Sequence, residues 1–399
     1  MNVIQIQVKV RKREEMNLDN FENQGNKGRQ CTMTIKEIAQ MAGVSSAAVS
    51  RYLNGGYVSE QKKEQIRKVI EKTGYQPSTQ ARILRTGRAH LVGVVAPKIN
   101  SESISRITAG IEQVLSARGY QMLLASTDNQ PKNELTYLRI FESYPVDGIV
   151  LIGTVLTDEH RRFLKESKVP VVIVGQETEM ASCIYHDDFG AGRAMGQEVA
   201  LKALKQNGGR PEDCKIAYIG VTREDKAAGA AREDGFRKGL QEAGISFDDQ
   251  RYRRESEFTM NGGYEAVVDL LSKETEIDII SCATDTIAAG AIEALIAQSK
   301  KAVPESVQNS GARMLHILEQ SGICVTGFGD NQMLKAVTGG IPTVHFGYKT
   351  SGIKGAELLL EQIEEKNYDA KLLERGYKKD SIQHYGFAFA GKKILIKKA

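Results

Sequence analysis

Apolar residues recur at helical spacing from the first patterned stretch of the chain. Ile35, Ile38, Ala39 and Ala42 share one face of a short helix, opened by Thr34 and closed by Gly43. Thr34 followed three residues later by Glu37 is a capping-box pattern, in which hydroxyl and carboxylate each satisfy an amide at the helix start. Gly43 suits the left-handed residue that ends a helix. Ser45 is placed to cap a second helix, Ser46 to Leu53, with Val49 and Leu53 turned inward. Asn54-Gly55-Gly56 breaks that helix. A third, capped by Ser59, carries Val58, Ile66, Val69 and Ile70 on its apolar side and ends at Gly74. Two short helices joined by a tight turn, with a third behind them, predict a helix-turn-helix head. Ser46, Ala47, Ser50 and Arg51 form the outward face of its second helix.

From His90 onward the pattern changes. Short apolar runs alternate with helical ones: Leu91 to Val95, Tyr120 to Ala125, Val146 to Ile152, Val169 to Val174, Lys215 to Ile219, Ile277 to Ile280 and Ile323 to Thr326 read as strands. Ile104 to Arg118 and Leu135 to Ser143 read as intervening helices. Such alternation predicts parallel sheets, and the length predicts two Rossmann-like lobes. The fold class is therefore α/β, an N-terminal three-helix head on a two-lobed body. Ligands of such lobes bind at the carboxyl ends of strands, where the loops here are polar and Gly-rich. No loop holds a GxxxxGK[ST] phosphate cradle and no GxGxxG opens a helix, so nucleotide hydrolysis and NAD binding have no support.

The division expected is 1–32, a disordered N-terminal extension; 33–76, the helix-turn-helix domain; 77–89, a hinge and linker; and 90–399, the ligand-binding and dimerisation body. In the hinge, Pro77 stops the third helix, and Ser78 can cap a new one carrying Arg82, Arg85 and Arg88 beside Ile83-Leu84. One reading is a plain linker. The other is a helix too short to stand alone, formed on DNA with Leu84 wedged into the minor groove.

Charge sharpens this picture. The net charge is only +4, but residues 33–90 hold ten basic and four acidic side chains, leaving 91–399 net negative. A small basic head on a mildly acidic body points to a polyanion met by the head. The five cysteines and six histidines are scattered, so neither a disulfide framework nor a metal site is expected, and no cofactor. No apolar run approaches the roughly 18 residues of a membrane helix, and the N-terminus lacks the features of a secretion signal. A cytoplasmic location and no membrane partner follow as the default.

The stretch TIKEIAQMAGVSSAAVSRYLN, then VS and GYQPSTQARILRTG, resembles the DNA-binding head and hinge of the lactose/galactose-repressor (LacI) family. The resemblance implies that Ser46, Ala47 and Arg51 read bases, that Thr34, Ser45, Asn54 and Tyr57 touch phosphates, and that Ala81 and Leu84 enter the minor groove. Ser78 stands where the family usually has Asn, and Ala47 is a poor hydrogen-bond reader. The resemblance extends over 34–399 and implies a periplasmic-binding-protein-like body. The loop residues Pro97, Ser103, Asp128 and Thr154 then face the ligand.

Arg232, in Ala-Arg-Glu-Asp-Gly-Phe, matches a ligand-reaching arginine; a surface ion pair is the other reading. Phe258 matches an aromatic that stacks on the ligand, with a core Phe as the alternative. Asp285 matches a ligand-facing pair in which Thr284 replaces Asn. Phe346 and Tyr348 are expected on a strand lining the cleft. Two departures blur ligand identity: Gly329-Asp330 replaces the usual Asp pair, and 302–320 is longer than the family's connection.

The function so implied is a repressor of carbohydrate-utilisation genes. It binds a palindromic operator as a homodimer under control of a sugar, sucrose or a related glycoside. Induction and corepression both stay open, as do control by a purine, a nucleoside or a protein partner. A sugar-processing enzyme with a DNA-binding head is the alternative of another class. Against it, no carboxylate pair or Ser/His/Asp set emerges.

Overall fold

The computed structural model describes residues 33–53, 56–75, 88–274, 276–298, 320–374, 385–390 and 393–398. The chain forms two compact units, dividing between residues 87 and 88.

In the first unit, helices α1 (Ile35–Ala42), α2 (Ser46–Leu53) and α3 (Glu60–Thr73) surround a core of Ile38, Ala39, Ala42, Val49, Val58 and Ile66. The capping box forms as the sequence predicts: the Glu37 amide donates to Thr34 Oγ1 at 3.3 Å, and the Thr34 amide donates to Glu37 Oε2 at 2.6 Å. Gly43 takes φ 63°, closing α1 and turning the chain into α2, where the Ala48 amide donates to Ser45 Oγ at 3.2 Å. Ser59 precedes α3 without a side-chain cap. Helix α3 pairs its charges internally, Lys63 with Glu60 at 2.7 Å and Arg67 with Glu64 and Glu71 at 2.7 and 2.6 Å. Exposed pairs of this kind contribute little stability.

In the second unit, two five-stranded parallel sheets make two lobes. The first has strands β1 (Leu91–Ala96), β2 (Gln121–Ser126), β3 (Gly148–Ile152), β4 (Val171–Val174) and β5 (Ser182–Ile184), in the order β2-β1-β3-β4-β5. Register runs Val92 beside Met122 and Gly148. Helices α4 (Glu102–Ala117), α5 (Pro131–Ser143) and α6 (Asp158–Glu166) connect these strands. Helix α5 starts at Pro131, earlier than its apolar pattern, because proline is preorganised for a first turn. Strands β3 and β4 are buried throughout, as parallel strands covered on both faces must be.

The second lobe opens with helix α7 (Asp188–Gln206). Its strands are β6 (Ile216–Gly220), β7 (Arg253–Glu255), β8 (Ile279–Cys282), β9 (Cys324–Phe328) and β10 (Thr343–Val344), in the order β10-β9-β8-β6-β7. Helices α8 (Arg232–Glu242), α9 (Asp249–Tyr252), α10 (Met260–Lys273), α11 (Asp285–Gln298) and α12 (Gln332–Thr338) link them. Helix α13 (Tyr348–Glu374) then returns to the first lobe, placing Ala356, Leu359, Leu360 and Ile363 in one core with Val92, Val94, Val150 and Val172. Strands β11 (Tyr385–Ala390) and β12 (Lys393–Lys398) pair as an antiparallel hairpin. The sequence reading placed Phe346 and Tyr348 on a strand. In the structure β10 ends at Val344, Phe346 lies in the following loop, and Tyr348 opens α13.

Helices α7 and α8 pack backbone against backbone. A Cβ at Gly192 would lie 2.0 Å from the Arg232 carbonyl oxygen, and one at Gly235 would lie 2.0 Å from that of Phe189. This contact sets Asp188 and Arg232, at the starts of the two helices, side by side. Because both obstacles are backbone, Gly235→Ala forces the helices apart. It should destabilise the body by about 1–3 kcal/mol and lower its melting midpoint by several degrees. Thermal unfolding followed by circular dichroism checks this; an unchanged midpoint would contradict the close packing.

Among the described residues no helix is long and apolar enough to cross a membrane. Cys183, Cys214, Cys282 and Cys324 are free thiols.

Candidate DNA-reading face and effector cleft

In the first unit, Val49 is fully buried while Ser45, Ser46, Ala47 and Arg51 are exposed and Ser50 is half-buried. The short amphipathic helix α2 thus spends its apolar side on the trihelical core and presents small side chains with one long cation outward. Arg51 has no ion pair among the described residues, in contrast to the self-paired Arg67 of α3. Thr34 and Tyr57 are also exposed, Tyr57 by 87%. Asn54, Ser78, Ala81 and Leu84, together with 1–32 and the hinge segment 77–87, lie outside the described residues.

In the second unit, a cavity of about 140 Å³ opens between the lobes at the carboxyl ends of their strands. Loops after β1 and β3 contribute Pro97, Lys98 and Thr154, and the first turn of α4 contributes Ser103. From the second lobe come Arg232, Phe258, Thr284 and Thr286, and Tyr348 closes one side. Of the residues expected at a ligand, Pro97, Ser103, Thr154, Arg232 and Phe258 therefore share one cavity.

The others sit elsewhere. Asp128 is exposed in a left-handed turn at φ 54°, and its neighbour Asn129 lines the cavity instead. Asp285 is buried and not on the wall. Its Oδ2 accepts from the Asn331 amide at 2.7 Å and its Oδ1 from Thr343 Oγ1 at 2.8 Å, bracing α11 against the loop after β9. Burial raises its carboxyl pKa despite those donors. Asp330, at φ 51°, faces His345 Nδ1 at 2.9 Å and borders a smaller cavity beside Asp285. Phe346 is buried behind the wall.

Arg232 is 6% exposed and held on every side. Its Nε donates to Asp188 Oδ1 at 3.0 Å, and Nη1 donates to the Ala283 carbonyl. Its guanidinium carbon lies 4.8 Å from the ring centre of Phe328 and 5.1 Å from that of Phe346. Burial works against the charge, but Asp188 together with Tyr348 and Tyr218 leaves the pKa raised. This is a buried pair, so the surface ion-pair reading of Arg232 fails on location. The bound guanidinium is fixed in one orientation toward the cleft.

His186 packs 4.8 Å from the Phe346 ring and meets Ser351 Oγ at 2.9 Å through Nε2; burial pushes its pKa down. Burial pushes the Tyr348 phenol up to about 12, keeping it a donor.

Four further contacts span the lobes. Gln176 Nε2 donates to Asp225 Oδ1 at 2.9 Å, and Asp225 also accepts from the Ala227 and Ala228 amides. Arg106 donates to the Asp330 carbonyl at 3.1 Å, while Glu102 accepts from the Gln332 amide at 3.2 Å. Lys98 Nζ donates to the Phe258 carbonyl. Behind the wall, Thr154 Oγ1 donates to the buried Glu134 at 3.1 Å.

Sequence reasoning missed Lys98, Gln176, Asp188 and Asp225. Only the Asp187-Asp188 pair at the start of α7 hints at one of them. Among the described residues no group of three or more His, Cys, Asp or Glu side chains is placed to hold a metal.

Comparison with known proteins bears on both units. Residues 34–78 match the family profile described as bacterial regulatory proteins, lacI family. Residues 89–379 match periplasmic binding proteins and sugar binding domain of LacI family. The sucrose operon repressor of Staphylococcus xylosus is 30% identical over 342 residues, 85% of this chain and 96% of that protein. Catabolite control protein A of Priestia megaterium is 30% identical over 65% of this chain and 76% of its own.

Among solved structures, the complex of the transcriptional regulator CelR with cellobiose is 25% identical, with a TM-score of 0.56 over 84% of this chain and 94% of that one. The lac repressor dimer bound to operator and the anti-inducer ONPF shares the fold at 19% identity, with a TM-score of 0.66 over 83% and 93%. By helical head, two-lobed body and sequence alike, the chain belongs to the LacI family of bacterial regulatory proteins.

Proposed function

We propose that this protein represses carbohydrate-utilisation genes in the cytoplasm, binding a pseudo-palindromic operator as a homodimer and responding to a sugar in the interlobe cleft. The observation that carries the reading is the cleft itself. Ser103, Thr154, Thr284 and Thr286 supply hydroxyls, Arg232 a fixed fork of donors, and Phe258 an aromatic face. Sugars present hydroxyl edges and apolar faces, which this combination suits. The relatives named for sucrose and cellobiose support the same class.

The coupling is a linkage. Gln176–Asp225 and Arg106–Asp330 hold the lobes at one separation, so a ligand that favours a particular closure shifts the population of that state. The head's DNA affinity changes by the ligand's differential affinity for the two states, and by no more. We read the protein as a regulator and not an enzyme.

Selection of bound DNA from a random pool by the full chain, with and without a panel of sugars, tests this. The expected product is an inverted repeat whose recovery changes with one sugar. Enrichment of no sequence removes the operator reading. Enrichment indifferent to every sugar, or turnover of a sugar in the same samples, removes the effector reading.

A further inference from the structure

Each acid of the cleft is held by donors, but one of its cations meets no acid. Asp188 is taken by Arg232 at 3.0 Å, Asp225 by the Gln176 amide and two backbone amides, and Glu102 by Arg106 and the Gln332 amide. Of the lining cations among the described residues, Arg232 is paired and Lys98 is not. Lys98 donates to the carbonyl of Phe258 and stands 5.8 Å from that ring's centre, but no carboxylate lies within ion-pair distance. Burial lowers its pKa, and no acid offsets that cost. A carbonyl satisfies a donor without neutralising a charge, and an unpaired ammonium withdrawn from water is costly.

Beside it stand the hydroxyls of Ser101 and Ser103, 2.9 Å apart, with Ser103 facing the same cavity. Ser101 precedes the 16-residue helix α4 without capping it by its side chain, so that helix's first amides remain available as donors.

We propose that the effector carries a negative charge, a phosphate or carboxylate on a sugar, seated on Lys98 with the Ser101 and Ser103 hydroxyls. This rests on the cleft being the effector site. The anion replaces the Phe258 carbonyl as the Lys98 partner and supplies the missing counter-charge. Hydroxyls and Arg232 take the neutral part of the ligand. A neutral glycoside would leave the cation uncompensated, which distinguishes this ligand class from a plain sugar.

Titration calorimetry on the full chain tests it with glucose, sucrose, glucose 6-phosphate and gluconate, at low and high salt. An anionic member should bind more tightly than the neutral sugars, and its affinity should fall with salt. Lys98→Met should weaken it roughly tenfold to a hundredfold, as expected for a charge-assisted hydrogen bond, while Lys98→Arg retains most of the affinity. Glucose 6-phosphate against gluconate separates phosphate from carboxylate. Binding of a neutral sugar with equal affinity in wild type and Lys98→Met overturns the inference and leaves the effector reading intact. Binding of the anion undiminished in Lys98→Met also overturns it. Failure of every member to bind overturns both.

Discussion

Replacing Arg51 by alanine should abolish operator selectivity while leaving effector affinity unchanged. Arg51 stands exposed on α2 among small neighbours, Ser46, Ala47 and Ser50, so the helix backbone can approach a major groove closely while one long cation reaches ahead. A bidentate arginine contact to a guanine edge is worth about 1–3 kcal/mol of discrimination, roughly ten- to a hundredfold per head, and a dimer uses two heads. Ala47 offers no hydrogen bond, so little on this face takes over the reading. The stability of the head should not change, because Arg51 is exposed and the core of the head is built from other residues, Ile38, Val49 and Ile66 among them. Competition between the selected operator and scrambled DNA measures the effect at fixed salt. A variant that lost affinity equally for both DNAs would make Arg51 a phosphate contact, and one that lost neither would remove α2 from the interface.

What could be read from sequence follows the range of the interactions involved. The Thr34–Glu37 box and the closing glycines Gly43 and Gly74 are local, and each appears where its spacing puts it. The alternation of strands and helices is also local, since apolar runs such as Val92 to Val95 must be covered on both sides wherever they occur. The partners of Arg232 are not local: Asp188 lies 44 residues away and Ala283 lies 51. Their meeting depends on the glycine contact between α7 and α8, and the four-residue spacings Gly192/Gly196 and Gly235/Gly239 that make it do not say which helix each pair meets.

Asp285 is expected at the ligand because it matches the family's ligand-facing pair. Its bonds to Asn331 and Thr343 are decided by a loop that departs from the family pattern. Phe346 and Tyr348 are expected on a strand because the family resemblance puts them on one that lines the cleft. The chain instead leaves β10 to begin the helix that returns to the first lobe, and Tyr348 is its first residue. Nothing in the sequence sets Lys98 apart from the other residues of its loop; only the folded cleft shows that no acid answers it.

Arg232→Ala should have the largest effect on the body, acting on effector response and on stability together, and the two effects can be separated. Removing the guanidinium strands Asp188, which is itself buried, and breaking one side of a buried pair typically costs about 3–5 kcal/mol. The variant also empties the space beside the stacked Phe328 and Phe346 rings, whose centres lie 4.8 and 5.1 Å from the guanidinium carbon. A protein so destabilised would lose its effector response for a trivial reason.

The double variant Asp188→Ala with Arg232→Ala removes the stranded charge. If the cost in the single variant is mainly that charge, the double variant should recover a substantial part of the melting midpoint. Its effector affinity should stay lost, because the donors aimed into the cleft are gone in both. Asp188→Ala alone should also be destabilised, since it leaves an unpaired buried cation. Thermal unfolding and calorimetry on all three variants complete the cycle. Recovery of stability with recovery of binding would show that Arg232 only holds α7 and α8 together; recovery of stability without binding assigns it to the ligand.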